Sequence, residues 1–237
     1  MTPRGETNVE ELATSTLHIL AGQGYGRQQG MPDLDQGDPL FPAIRRPVET
    51  RDTEYKESQP LDVLKWKLVK SCMAMANLRG GGRLIIGVNQ RSGALSPDGV
   101  HSENEPDYDQ DDLLALVNRY ARPPVTLTVR IVEDSGKRFI AIEVQEFERT
   151  PVMCGVPTPP EAGSDGLQVG NVPVRSRDRV ATTRIADADL MAEVLEIAAE
   201  KRAAQIIATA QRIGLRAPEG AAAAFAAERD EFGDFNW

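Results

Sequence analysis

Three consecutive glycines, Gly80, Gly81 and Gly82, constrain this chain more than any other stretch, because they join an apolar helical pattern to an apolar run. The helical pattern ends at Asn77, and Leu84-Ile85-Ile86-Gly87-Val88 reads as a short buried strand. Glycine supplies the positive φ angles that a tight helix-to-strand turn requires. The direction of the connection also bears on function. A phosphate loop needs GxxxxGK[ST] after a strand and before a helix. Here the order is reversed and no Lys-Ser/Thr pair follows. The helix end at this turn offers carbonyls, not amides, to a ligand, so a P-loop ATPase is excluded.

The flanking pattern fixes the fold class. Pro60 opens a helix whose apolar residues Leu61, Leu64, Leu68, Cys72 and Met75 recur every three or four positions, with Lys65, Lys67 and Lys70 largely off the stripe. Before it, Tyr55 alternates with charged neighbours in Thr53–Glu57, which predicts a half-exposed strand. After the glycines, Asn89–Gly93 predicts a turn between strands. Asp109 predicts an N-cap, with Asp111 and Asp112 suiting the helix dipole and Leu113, Leu116, Val117 and Tyr120 forming the apolar face. Arg122-Pro123-Pro124 ends that helix. Val125–Val132 and Arg138–Val144 alternate on either side of Glu133–Gly136, a hairpin signature.

Residues 149–171, rich in Pro and Gly, predict a long loop serving as a lid or insertion. Val172–Val180 begins extended, and Asp187 predicts the cap of a helix running to about Ile213. The order strand, helix, strand, helix, three strands, helix predicts an α+β fold. Its sheet is expected to be mixed and mostly antiparallel, with packed helices, a C-terminal helix and flexible termini. The expected divisions are an arm over 1–46 (with one short helical pattern at Leu12, Leu17 and Leu20), a domain over 47–185, the helix over 186–214 and an acidic aromatic tail over 215–237.

Charge placement narrows the partners. Of the net charge of −9, none comes from residues 43–185, which hold 20 basic and 20 acidic side chains. Residues 1–42 carry 2 against 6, and residues 186–237 carry 5 against 10. A neutral centre can still present a basic face to DNA or RNA. Cys72 and Cys154 belong to no CxxC or Cys/His cluster, which argues for a reducing compartment without structural zinc. No apolar run is long enough for a membrane span and no secretory leader is visible, so a cytoplasmic location is expected. The oligomeric state is left open.

Several of these motifs, taken together, are similar to one family. Glu54-Tyr55-Lys56-Glu57 opens a strand; a helix ends Ala74-Met75-Ala76-Asn77; Gly-Gly and Leu84–Val88 follow. Pro123, a hairpin ending Ile140–Val144 and Val174-Arg175-Ser176 come later. This ordered set, over roughly 47–185, resembles the Schlafen AlbA-type domain, often described as a DNA-binding domain of bacterial regulators. In eukaryotic Schlafen proteins the module can act as an RNA endonuclease through clustered carboxylates. The resemblance puts the family's acidic pair at Glu49 and Glu54 and its third carboxylate near Asn89, with Asp98 the next acid. It implies Mg²⁺ or Mn²⁺ at Glu49 and Glu54, with Glu57 nearby, if the chain is a nuclease; an amide at 89 is a poor ligand for such a cation.

The residues suggest two further surfaces. Arg175, Arg177 and Arg179 alternate along an extended segment and so share a face. With Lys56, Arg79 and Arg83 they form a candidate phosphate-binding set for DNA or RNA. Phe232, Phe235 and Trp237, interleaved with acids, form a candidate segment for docking in a protein partner's basic, apolar groove. His18 and His101 mark no metal or catalytic cluster. The readings are therefore a nucleic-acid-binding or regulatory module, a metal-dependent endoribonuclease, and a scaffold recruiting a partner through its tail.

Overall fold

A computed structural model describes residues 38–91, 93–177, 181–185 and 188–214. The predicted cap at Asp187, Arg179, the helical pattern at Leu12–Leu20, and Phe232, Phe235 and Trp237 lie outside these residues. The central sheet has four strands in the order β1-β2-β7-β6: β1 (Thr53–Lys56), β2 (Gly82–Ile86), β6 (Leu127–Asp134) and β7 (Lys137–Val144). β1 runs parallel to β2, in register Tyr55 with Ile85, and the other pairs are antiparallel. A parallel pair needs a crossover, supplied by helix α2 (Leu61–Ala76).

β2 and its neighbours β1 and β7 are buried on both faces over most of their length, which explains why β2 is a continuous apolar run. Alternation sends Leu84, Ile86, Ile140 and Ile142 to one face, where they meet Leu64, Leu68, Cys72 and Met75 of α2. Helix α3 (Gln110–Tyr120) adds Leu113 and Val117 to that core, and the long helix α4 (Ala188–Arg212) adds Leu190, Val194 and Ile197. Each fully buried Leu or Ile contributes about 1.5–3 kcal/mol. Burial also pushes the Cys72 thiol well above its ordinary pKa, as fits a small core residue. Ile85, Phe139 and Ala141 point the other way, onto helix α1 (Leu40–Arg45), whose Leu40 and Ile44 are fully buried.

That small helix accounts for two departures from expectation. α1 falls within the stretch read as an arm, yet it covers one face of the sheet. Tyr55 was expected on a half-exposed strand. Instead Thr53, Glu54 and Tyr55 are all buried, and the Tyr55 hydroxyl donates to Ala43 O at 2.8 Å. The apolar signal of α1 is only two residues deep, so no periodicity announces it.

Leu84–Val88 is also not one strand. Gly87, at φ +106°, breaks it, and a Cβ there would lie 2.8 Å from the Gly99 carbonyl carbon. Val88–Arg91 (β3) leaves the main sheet to pair with Ala94–Pro97 (β4), so Asn89–Arg91 is strand rather than turn. The predicted hairpin holds, turning through Ser135 and Gly136, both at positive φ. Asp109 caps α3, its carboxylate accepting from the amides of Asp111 and Asp112.

Residues 149–171 are tied down rather than free to act as a lid. Met153–Cys154 (β8) pairs with Ala121–Arg122 (β5), and Val152, Cys154, Ala162 and Leu167 are buried. Asn77, at the end of α2, organises this region. It is buried, its amide donates to Val152 O and Pro173 O, and its carbonyl accepts from Val152 N at 2.7 Å. Pro173–Arg175 (β9) then pairs with Thr182–Arg184 (β10). Among the described residues no helix is long and apolar enough to cross a membrane.

Candidate functional site

The polar centre of the domain lies where β1, α2 and β9 meet. Glu54 is 7% exposed and Arg175 2%, and they form an ion pair at 2.6 Å. Lys56 reaches the other Glu54 oxygen at 2.5 Å, and Ser71 of α2 donates to it at 3.2 Å. Arg175 further donates to Arg51 O at 3.0 Å and to Thr182 Oγ1 at 3.1 Å. Two cations and a hydroxyl thus satisfy a carboxylate that burial would otherwise leave at high cost. Arg175 stands inside the fold, not on the outward face expected for a phosphate contact. The extended segment read over Arg175, Arg177 and Arg179 does not hold together as one face: β9 ends at Arg175 with all three of its residues buried, it packs against α2, and Arg177 lies beyond it, exposed.

The metal expected of a nuclease does not fit these residues. Glu54 is committed to Arg175 and Lys56, while Glu49 is exposed. Asn89 donates to Asp98 at 2.8 Å, so the next acid does lie beside position 89 despite its distance in sequence. Asp98 is itself satisfied, however. Ser96 foremost, then Asn89 and Arg91, hold its carboxyl below the ordinary carboxylate range. Among the described residues no three Asp, Glu, His or Cys side chains gather where they could hold a cation. A hard divalent ion wants several carboxylate oxygens at once, and this donor set does not provide them.

The remaining basic candidates surround the glycine turn and β9, and α4 meets most of them. Glu193 accepts a two-pronged bond from Arg51, at 2.7 and 2.8 Å, and a third from Arg177 at 3.1 Å. Those guanidiniums, Arg51 first, hold the Glu193 carboxyl below its usual range. Arg51 also donates two bonds to Arg175 O, which links the α4 contact to the buried pair. About two turns along α4, Glu200 accepts a fork from Arg79 at 2.5 and 3.0 Å, which lowers its pKa too. Lys201 reaches Glu146 at 3.0 Å, and Glu146 in turn accepts from Gly80 N.

Arg83 differs from these, being half-buried on β2 with no ion-pair partner among the described residues. It lines a groove of about 500 Å³ with Arg79, the three glycines and Asp52, closed on the other side by Thr128 and Glu143. The groove needs Gly81: at φ +76°, a Cβ would fall 2.1 Å from Val144 O. Sequence reasoning anticipated Arg79 and Arg83 but missed Arg51 and Glu193. No local pattern marks those two, because their pairing spans 142 positions.

Residues 49–181, more than half of the chain, match the family described as Schlafen, AlbA_2. Among solved structures, the chain is similar to the DIP2311 protein of Corynebacterium diphtheriae, at 20% identity and a TM-score of 0.39. That match covers 78% of this chain but only 28% of the other. It is also similar to the N-terminal domain of a RecG-related protein from Nitrosomonas europaea, at 18% identity and a TM-score of 0.39, covering 63% of this chain and 94% of that one. No curated protein sequence matches it. By the extent of the match over residues 49–181, this chain belongs to the Schlafen AlbA_2 family.

Proposed function

We propose that this chain is a nucleic-acid-binding module whose α4 helix regulates access to the phosphate contacts. The carrying observation is the set of forked bonds from Arg51 and Arg79 to Glu193 and Glu200. A forked guanidinium–carboxylate pair uses the same geometry that recognises a phosphodiester. Two α4 carboxylates therefore sit as phosphate would sit. Arg83 is the contact already free to act, and Arg79 and Arg177 join it as α4 yields. Arg179, two positions beyond Arg177 in the sequence, completes the proposed set. Lys56 contributes only as far as Glu54 releases it. Family membership supports a nucleic-acid role, and the commitment of Glu54 to Arg175 supports binding over cutting.

Fluorescence anisotropy with labelled duplex DNA and single-stranded RNA across a salt series tests this reading. Three or four phosphate contacts predict a loss of roughly 10²-fold in affinity between 50 and 200 mM salt. Glu193→Gln with Glu200→Gln should tighten binding, and Arg83→Ala should weaken it. Salt-insensitive binding, or affinity unmoved by all three substitutions, contradicts the proposal.

A further inference from the structure

A second groove, of about 720 Å³, runs along the distal half of α4 beside the loop that carries Arg149. Its walls combine two chemistries. Arg149, Arg202 and Arg212 line it, all exposed and none with an ion-pair partner among the described residues. Between them lie Ile206 and Ile213, 55% and 63% exposed. Side chains of this kind on one helix face have no structural use within the described residues, since the α4 residues that reach the core, Leu190, Val194, Ile197 and Ala198, all precede them. From residue 201 to 214 the chain carries Lys201, Arg202 and Arg212 and no acid.

We infer that this groove receives residues 230–237 of the same chain. Asp230-Glu231-Phe232-Gly233-Asp234-Phe235-Asn236-Trp237 holds three acids, no base and three aromatic rings, the complement of a groove built from guanidiniums and isoleucines. Carboxylates pair with arginine forks, aromatic rings cover Ile206 and Ile213, and guanidiniums stack on Phe or Trp faces. The reach suffices in either extreme. The groove extends about 16 Å back along α4 from Ile213 to Arg202. The 15 residues 215–229 span roughly 50 Å if extended and about 22 Å if helical. A tether of this length places the segment at an effective concentration on the order of millimolar, which favours the chain's own segment over a second copy. The inference does not depend on the nucleic-acid reading, which concerns the other end of α4.

A fluorescein-labelled peptide of residues 228–237 tests it by anisotropy, titrated into the full-length chain. Phe235→Ala with Trp237→Ala in the full-length chain vacates the groove. That variant should bind the peptide roughly tenfold or more tightly than wild type, whose groove is already filled. Adding Arg202→Glu and Arg212→Glu, or Ile206→Asp alone, should abolish peptide binding; all three positions are exposed, so the fold persists. Equal peptide affinity for wild type and the vacated variant overturns the inference, as does binding that survives both groove variants. A concentration-dependent dimer that the Phe235→Ala, Trp237→Ala variant loses would assign the groove to a second copy. A labelled oligonucleotide bound through Arg202 and Arg212 and not displaced by the peptide would assign it to nucleic acid. Either result contradicts docking within one chain.

Discussion

Glu54 and Arg175 decide how the central site is read, because the same two residues can be a catalytic acid and a phosphate contact or a buried structural pair. Burial selects the second. Removing one member of a buried ion pair costs about 3–5 kcal/mol, far more than an exposed pair contributes. Arg175→Met is expected to destabilise the chain by about 3 kcal/mol, the low end because Lys56 still reaches Glu54. Arg177→Met, whose side chain is half exposed, should cost less than about 1 kcal/mol. Urea unfolding midpoints of the two variants measure the contrast. Equal, small shifts would mean that Glu54 is not held by Arg175. The extended start of this segment was legible in the sequence, but the burial of Arg175 and the end of the strand before Arg177 were not. The partner of Arg175 lies 121 positions away, and strand periodicity gives two faces without saying which is covered.

At the scale of elements, α4 is held at its start by apolar burial and by charge. Glu193 has a depressed pKa in the folded chain, so it binds a proton less readily there than in the unfolded chain. Its contribution is fully present above the ordinary carboxylate range and is lost as pH falls through and below that range. The gap in thermal midpoint between wild type and Glu193→Gln should therefore be widest near neutral pH and narrow steadily in acid. A gap independent of pH would sink the ion-pair account. The helices α2, α3 and α4 were readable from their period, because each packs apolar residues into one core, and the β6–β7 hairpin from the turn residues between two apolar runs. β3 and β4 were not. Gly87 sits in an apolar run that looks continuous, and only the close approach of Gly99 reveals the break. An isolated glycine in such a run is the one local hint of it.

For the whole molecule, the neutral charge of residues 43–185 conceals how that charge is distributed. Positive side chains near the glycine turn and β9 face carboxylates supplied by α4, a helix acidic at its start and basic toward its end. The α+β class and the Schlafen AlbA_2 kinship could be read from ordered motifs. The engagement of Arg79 and Arg177 could not, since it depends on how a helix 100 or more residues distant lies on the domain in one case, and on fold-level docking in both. The domain proposed above binds nucleic acid without cutting it. The most direct measurement incubates end-labelled tRNA and DNA with excess full-length protein in Mg²⁺ or Mn²⁺, and reads native and denaturing gels from the same samples. Retarded bands are expected on the native gel and full-length nucleic acid on the denaturing gel, unchanged in Glu49→Gln. Metal-dependent cleavage by the wild-type chain that Glu49→Gln abolishes would contradict this reading.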